Sequence, residues 1–171
     1  AASGQQYPRV VSDGAQFFVA WEDGRSGTSR DIYGTRVSAG GEVLDPDGIP
    51  VSAATTSELS LNIASDGDRF FVVWQGAGAG DDIYGARVNA AGTVLDADGI
   101  AVSTATNDQV SPTAAWNGNQ FLVVWQDNRS GGRNIDIYGA RVSAAGALLD
   151  AAGIAVSTAT NEQQRPSVAS D

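Results

Sequence analysis

The segment DIYGTRV occupies residues 31–37, and the nearly identical segment DIYGARV recurs at residues 82–88 and 136–142. The copies begin 51 and then 54 residues apart. Self-similarity at such a period is typical of propellers, solenoids and other folds built from stacked units. The sequence therefore predicts three copies of one structural unit.

The rest of each unit keeps the same register, and all differences in length fall between a tryptophan and the DIYG motif. The recurring positions are Trp21, Trp74 and Trp125; Tyr33, Tyr84 and Tyr138; and Gly48, Gly99 and Gly153. We divide the chain into repeats at residues 1–58, 59–108 and 109–162, with residues 163–171 as the first strand of a fourth repeat.

Each repeat is predicted to form four β-strands. An Asp-Gly or Asn-Gly pair follows the first strand and marks a hairpin turn, because both residues tolerate a positive φ. The second strand, such as QFFVAW at residues 16–21, is apolar on both faces, which is typical of a strand covered on both sides. The DIYG motif forms the third strand, with a bulge near its glycine, and GIPVS or GIAVS forms the fourth.

Four antiparallel strands in about 50 residues, with both faces of the middle strand buried, indicate a blade of a β-propeller. We therefore predict an all-β, propeller-type fold of three blades plus one strand. Propellers close with about four to eight blades, so we expect the partner to be further repeats of a longer chain or other copies of this chain. A stacked solenoid is the main alternative.

The composition excludes several kinds of chemistry. The chain has no Cys, His, Met or Lys, which removes thiolates, Schiff bases and the usual zinc and copper ligands. A net charge of −10 argues against nucleic acid and anionic membranes as partners, and no apolar run is long enough for a membrane helix. Residues 1–10 lack signal-peptide features, so we expect a mature or excised piece of a secreted or cell-surface protein.

The pattern W-x-D-x-R-x-G, DIYG-x-R-V and G-I-x-V-S resembles a tandem repeat of large secreted or surface proteins of bacteria. The resemblance covers nearly the whole chain, and it implies a propeller-like fold without implying an activity. The second repeat departs from the pattern, because QGAGAGDD follows Trp74. Three aspartates also stand where the family often has Trp: Asp45, Asp96 and Asp150.

Twenty carboxylates make a glycan hydrolase one alternative, since two suitably spaced carboxylates suffice for that reaction. A catalytic pair needs an asymmetric environment that separates two pKa values, whereas residues copied into every unit more often cap turns or pair with arginine. We therefore predict no catalytic residue and no enzyme. The repeated carboxylates include Asp31, Asp82 and Asp136 as well as the three aspartates at the family's Trp position.

The segments DPDG and DADG resemble the start of a calcium-binding loop. Their carboxylates, Asp45, Asp47, Asp96 and Asp98, are the candidate metal ligands. The third repeat reads DAAG, and no Glu follows at the spacing of a calcium loop, so a turn with glycine at positive φ is the preferred interpretation. No cofactor is predicted, and calcium is the alternative.

Two loops, EDGRSG and QDNRSG, place an Asp two residues before an Arg. We expect ion pairs Asp23–Arg25 and Asp127–Arg129 to staple these loops, and a ligand-binding rim is the alternative. Three strand arginines are expected to pack between blades and to pair with aspartate: Arg36, Arg87 and Arg141.

Trp116 has no counterpart in the other repeats, which carry Ser12 and Ser65 at this position. Together with Asn117 and Asn119 it forms the candidate ligand-binding group, because an exposed indole stacks on sugar rings. The alternative is that the indole covers a neighbouring strand.

We predict a non-catalytic extracellular scaffold or adhesion module that binds protein or glycan through its repeat faces and loops. The reason is repetition without a singular polar cluster. The alternatives are a subunit that assembles into a filament or ring, and a carboxylate-dependent glycan hydrolase.

Overall fold

The computed structural model describes residues 4–78, 80–132 and 134–170. These residues form three four-stranded antiparallel sheets and contain no helix, which confirms the predicted all-β, propeller-type architecture. It follows that the same ranges hold no helix able to cross a membrane.

Each sheet is one blade and follows one repeat. The strands of the first blade are β1 (Gln5–Ser12), β2 (Gln16–Asp23), β3 (Asp31–Ser38) and β4 (Ile49–Ser52). Those of the second are β5 (Glu58–Ser65), β6 (Arg69–Gly76), β7 (Asp82–Asn89) and β8 (Ile100–Ser103). Those of the third are β9 (Gln109–Trp116), β10 (Gln120–Asp127), β11 (Asp136–Ser143) and β12 (Ile154–Ser157).

The strands of a blade lie in chain order, so every blade is an antiparallel meander. The first strands, β1, β5 and β9, are the neighbours between successive blades and line an open cavity of about 600 Å³, which we call the central channel. The four-residue strands β4, β8 and β12 form the opposite edges. The pairing of third and fourth strands shifts register beside the DIYG glycine, as the sequence predicted.

Every first strand carries a bulge at the channel. The pairing of β1 with β2 shifts register between Gln6 and Arg9, and the other two blades have the same irregularity. The bulged residue has a positive φ although it is not glycine, which makes it an uncommon backbone conformation. The three bulged residues are Tyr7, Ser60 and Ser111, and Arg165 has the same conformation at the equivalent position of residues 163–170, which form no strand.

The blades pack through apolar faces that contain aromatic pairs. Phe18 of the first blade stacks on Phe70 of the second, with ring centroids 4.9 Å apart. Phe71 of the second blade contacts Phe121 of the third at 4.8 Å. These pairs lie in two separate cores, one between each pair of neighbouring blades.

One face of the first blade packs against the second blade, and its opposite face has no blade against it. Phe17 and Val10 stand at the positions that Phe70 and Ile63 occupy in the second blade. Phe17 is 44% exposed and Val10 63%, whereas Phe70 is fully buried. The face is therefore built like the buried ones but has no blade against it.

Residues 163–170 lie where a fourth blade would begin. The backbone N–H of Gln163 donates to the carbonyl oxygen of Ile135 at 2.7 Å, as Glu58 N–H does to the carbonyl oxygen of Arg30. The predicted strand is not formed, since no residue of this segment is in a strand. The physical reason is that a first strand pairs with the second strand of its own blade, and none follows in the described residues.

Replacing Phe70 by Ala should lower the free energy of unfolding by about 3–5 kcal/mol, the usual cost of truncating a buried phenylalanine. The matched control is Phe17→Ala, which removes the same side chain from the same position of the first blade, where it is half-exposed. That variant should lose much less stability. Urea unfolding followed by tryptophan fluorescence measures both, and equal losses would contradict the packing of blade on blade.

Candidate functional site

The loop after the second strand is closed by an ion pair in the first and third blades. Arg25 Nη2 lies 2.7 Å from Asp23 Oδ2, and Arg129 Nη2 lies 2.7 Å from Asp127 Oδ2. The Arg25 guanidinium also covers the ring of Tyr33, with its central carbon 3.9 Å from the ring centroid. The predicted staples are therefore confirmed.

Asp23 is fully buried and held by several donors. The indole N–H of Trp21 and the backbone N–H of Arg25 each donate to it at 2.8 Å. Burial raises the pKa of Asp23, but the Arg25 guanidinium, the Trp21 indole and the Arg25 backbone N–H lower it to about 2. The staple is therefore an ionised carboxylate at any physiological pH.

The second blade has no such staple. Gly76 stands where the other blades have the aspartate, and no arginine follows before Asp82. The indole of Trp74, which lacks the usual acceptor, faces Glu58 instead and lowers the pKa of that carboxyl group. A cavity of about 270 Å³ opens at this place between the first and second blades; we call it the interblade cavity.

The interblade cavity combines carboxylates with aromatic rings. The side chains that line it include Glu58, Asp82 and Asp98 together with Trp74 and Tyr84. Carboxylates beside aromatic surfaces are the groups that cleave and position sugar rings. The cavity therefore has the chemical character that a glycan site needs.

Glu58, Gly76 and Asp82 form one row across the sheet, because Glu58 pairs with Gly76 and Gly76 pairs with Asp82. Directly paired residues of antiparallel strands point to the same face. Neighbouring strands are about 4.8 Å apart, so the two acidic residues stand about 10 Å apart at their backbones. Glycine places no side chain between them.

Glu58 is 2% exposed. The hydroxyl of Ser52 donates to its Oε1, and the backbone N–H of Ile32 donates to its Oε2 at 3.2 Å. Burial raises the pKa of Glu58 more than the hydrogen bonds from Ser52, Ile32 and Trp74 lower it, and the nearby charge of Asp31 raises it further. Two hydrogen-bond donors thus hold one desolvated carboxyl group.

Asp82 has a different environment. Burial raises its pKa, the hydroxyl of Tyr84 lowers it, and the neighbouring Asp81 raises it again. The Tyr84 hydroxyl oxygen lies 3.5 Å from Asp82 Oδ2. The two carboxyl groups of the cavity therefore differ in their donors, which is the asymmetry that an acid and base pair requires.

The central channel is a second cavity, but the described residues that line it include only one carboxylate, Glu22. Glu22 Oε2 lies 3.0 Å from the Arg30 guanidinium, and its Oε1 accepts the backbone N–H of Ser60 at 2.8 Å. Gln126 accepts the N–H of Arg165 in the same way in the third blade. Glu22 therefore has a repeated structural role and lacks a second carboxylate beside it.

The predicted ion pairs between strand arginines and aspartates are confirmed. Two of these aspartates, Asp45 and Asp96, are also candidate metal ligands. Both carboxylate oxygens of Asp45 accept hydrogen bonds from Arg36, and both oxygens of Asp96 accept from Arg87. Asp150 and Arg141 form the same pair in the third blade.

The other two candidate metal ligands lie apart from each other. The carbonyl oxygen of Asp47 accepts from Arg25 at 2.7 Å, and Asp98 lines the interblade cavity. Across residues 4–78, 80–132 and 134–170, no group of three or more carboxylates is arranged to hold a metal ion. Calcium binding stays a prediction without a gathered site.

The candidate group at the third hairpin packs locally. The indole of Trp116 contacts the ring of Phe121, with centroids 4.7 Å apart. Asn117 Oδ1 accepts the backbone N–H groups of Asn119 and Gln120 at 3.1 and 3.0 Å. These contacts fit the alternative in which the indole covers a neighbouring strand, and the ligand role of the group stays a prediction.

Sequence reasoning missed the pair in the interblade cavity. Asp82 was grouped with the repeated aspartates, and Glu58 was not singled out. The available signal was the set of departures from the repeat: Glu58 where the third repeat has Gln109, and Gly76 where the other repeats have Asp23 and Asp127.

The chain matches no family model and no curated protein. Among solved structures it is similar to a thermostable family 43 glycoside hydrolase, with a TM-score of 0.58 and 10% identity over 94% of this chain and 56% of that one. It is also similar to a family 43 endo-arabinanase from Bacillus licheniformis, with a TM-score of 0.56 and 9% identity over 91% and 60%. An arabinanase of Bacillus subtilis gives 0.55 and 11% over 92% and 60%.

At these identities the likeness shows the fold alone, and the chain spans 56–60% of the length of these structures. The structures are five-bladed β-propellers, of which three blades make up a similar fraction.

The comparison overturns two predictions. We expected a non-catalytic scaffold or adhesion module that is not an enzyme, but the three solved structures named above are a glycoside hydrolase and two arabinanases. The error has a physical cause. Repetition of carboxylates was taken to exclude an asymmetric pair, whereas the loss of one aspartate at Gly76 creates such a pair in the second blade.

Replacing Asp23 by Asn should lower the free energy of unfolding by about 2 kcal/mol at pH 7, the worth of the lowered pKa of this buried carboxyl group. The folded-state pKa of about 2 lies below the ordinary value of 3.8. The stabilisation is therefore present above about pH 4 and is lost as the pH falls toward 2. Unfolding measured from pH 7 to pH 2 should show the two proteins converging; a constant difference would contradict the ionised staple.

Proposed function

We propose that the chain forms part of a carboxylate-dependent glycan hydrolase in which Glu58 and Asp82 are the catalytic pair. The observation that carries the proposal is the row Glu58–Gly76–Asp82, in which two desolvated carboxyl groups on one sheet face line one cavity. The fold shared with glycoside hydrolases supports it.

The two carboxyl groups are suited to different steps. We assign Asp82, which has one weak donor and a neighbouring negative charge from Asp81, as the general acid on the glycosidic oxygen. We assign Glu58, whose carboxylate accepts hydrogen bonds from the Ser52 hydroxyl and the Ile32 backbone N–H, as the general base that takes a proton from water. The water oxygen bonds to the anomeric carbon as the carbon–oxygen bond to the leaving sugar breaks.

The spacing favours inversion at the anomeric carbon. Inverting hydrolases hold their carboxyl groups about 6.5–9.5 Å apart to leave room for water, and retaining ones about 5–5.5 Å. Two strand spacings place the backbones of Glu58 and Asp82 about 10 Å apart, which leaves room for a water molecule between the side chains, as the wider arrangement requires. The rings of Trp74 and Tyr84 supply apolar surface for a sugar.

A complete ring is part of the proposal. The open face with Val10 and Phe17 has the composition of an interblade face, and further repeats or other copies of the chain would cover it. Polysaccharide substrates lie outside bacterial cells, so we place the protein in a secreted or cell-surface location.

Incubation of the chain with a panel of polysaccharides should yield reducing sugar from at least one glycan. Glu58→Gln and Asp82→Asn should each lower the rate by about 10²–10⁴-fold, the usual contribution of a positioned proton transfer. The matched control is Asp68→Asn, which neutralises an exposed carboxylate of the same blade and should leave the rate unchanged.

The pH profile and the product stereochemistry complete the test. The rate should fall below the pKa of Glu58 and above that of Asp82, and both limits should lie above the ordinary carboxyl range, because burial raises both values. NMR of the first product should show an inverted anomer. Full activity in both variants would overturn the catalytic assignment, and a retained anomer would overturn the mechanism.

A further inference from the structure

The two ends of the three-blade unit present matching apolar faces. The first blade leaves Phe17 half-exposed at the position where Phe70 of the second blade is fully buried against its neighbour. The third blade leaves Val156 55% exposed, whereas Val51 and Val102, at the same position of the other blades, are 1% exposed. Each end therefore carries the side chains of one half of an interblade core.

A polar contact that joins successive blades is also incomplete at both ends. Arg36 of the first blade donates from Nη1 to the carbonyl oxygen of Ala90 in the second, at 3.1 Å. Arg87 makes the same contact from the second blade to the third. Arg141, at this position of the third blade, uses Nε and Nη2 for its ion pair, and its Nη1 has no acceptor among the described residues. In a following first blade, the matching acceptor is the carbonyl oxygen of Ala39.

The turn that receives this arginine has the same form in every blade. A Cβ at Gly92 would lie 2.8 Å from Arg36 Nε, and a Cβ at Gly146 would lie 2.6 Å from Arg87 Cζ, so both turns lie directly against an arginine. Gly41 has the same positive φ in the first blade, but a Cβ there would meet nothing within 4 Å. The first blade thus has room for the arginine of a preceding blade.

Residues 163–170 occupy the place on the third blade that the first strand of a following blade takes. Gln163 and Arg165 are bound there through their backbone N–H groups, at 2.7 Å each. Ser60 of the second blade makes the equivalent contact with the first blade. Since this place is filled, an incoming first blade meets residues 163–170 in the position of its own β1.

The sequence of this segment matches β1 more closely than it matches the other first strands. QQRPSVAS at residues 163–170 and QQYPRVVS at residues 5–12 are identical at five of eight positions, namely both Gln, Pro, Val and Ser. The same comparison gives three identities with β9 and two with β5. Seven of the eight residues of β1 are exposed, so little besides its pairing with β2 holds it. The segment is therefore suited to replace β1.

We propose that a second copy of the chain docks head to tail on the first, and that residues 163–170 of one copy replace β1 in the first blade of the next. Such an exchange costs little, because the strand pairing that is lost is formed again between the copies, and two open apolar faces become buried. Two copies carry six blades, within the range of about four to eight at which propellers close. This assembly goes beyond the proposed function and does not depend on hydrolysis by Glu58 and Asp82.

Sedimentation velocity of the refolded chain tests the docking. The chain is unfolded in urea and refolded, so that β1 and residues 163–170 compete equally for β2. Interfaces of standard size have Kd values of about 1 μM or below, so the expected mass at about 100 μM protein is twice 17.5 kDa. A series of larger multiples would support the same docking in an open array. A chain that stays at 17.5 kDa would overturn the proposal and leave further repeats of a longer chain to cover the open faces.

A charge on the open face of the first blade should weaken the association. Phe17→Asp should raise the dissociation constant at least about 100-fold, because an unpaired carboxylate would be buried in the interface. The matched control is Leu95→Asp. Leu95 is 42% exposed although its blade has a neighbour on each face, so this variant should assemble like the unchanged chain. Equal association of the two variants would count against docking at this face.

Paired cysteines test the strand exchange itself, because the chain has no cysteine of its own. Val10 and Val19 are directly paired between β1 and β2, and Val168 stands at the position of Val10 in residues 163–170. Paired strand residues are close enough for a disulfide. Val19→Cys combined with Val168→Cys should therefore link two chains on a non-reducing gel, whereas neither substitution alone should do so.

The matched control for the cross-link is Val10→Cys combined with Val19→Cys. These two cysteines form a disulfide within one chain when β1 keeps its place in the first blade. A disulfide in this control, together with no link between chains in the Val19→Cys and Val168→Cys variant, would overturn the exchange.

Discussion

The stacking of Phe18 on Phe70, repeated as Phe71 on Phe121, is the contact on which the rest of the structure depends. A four-stranded sheet with two apolar faces has no place to bury them except against its neighbours. The same packing brings Glu58, at the start of the second blade, within hydrogen-bonding distance of Ile32 in the first. The interblade cavity is thus a product of blade packing.

The cavity also depends on a coordinated departure from the repeat. In the other blades a buried aspartate needs its arginine, because removing one partner alone would leave an unpaired buried charge. The second blade has neither, so no such penalty arises. A Cβ at Gly76 would lie 3.0 Å from the ring of Tyr84, so the glycine is also what allows that ring its position beside Asp82.

Different features of the protein were accessible to sequence reasoning to different degrees. The blades and the Asp23–Arg25 staple follow from spacing along the chain, because their partners are near in sequence or repeated. The relation of Glu58 to Asp82 depends on register across three strands and on burial against the preceding blade, which no local pattern records. Repetition was given too much weight, since a changed residue in one repeat carries more information about function than a residue common to all.

The two cavities show how a repetitive fold acquires singular sites. At the channel the backbone is the same in every blade, and the N–H groups of Ser60 and Arg165 are bound by Glu22 and Gln126. Because these two positions are held through their backbone N–H groups, their own side chains differ without loss of the contact. The interblade cavity differs, because a structural side chain is absent there. The second blade has Gly76 where the other blades have a buried aspartate, and Glu58 and Asp82 share the space that this leaves. The proposed catalytic pair therefore lies where one blade lacks the staple that the other two blades have.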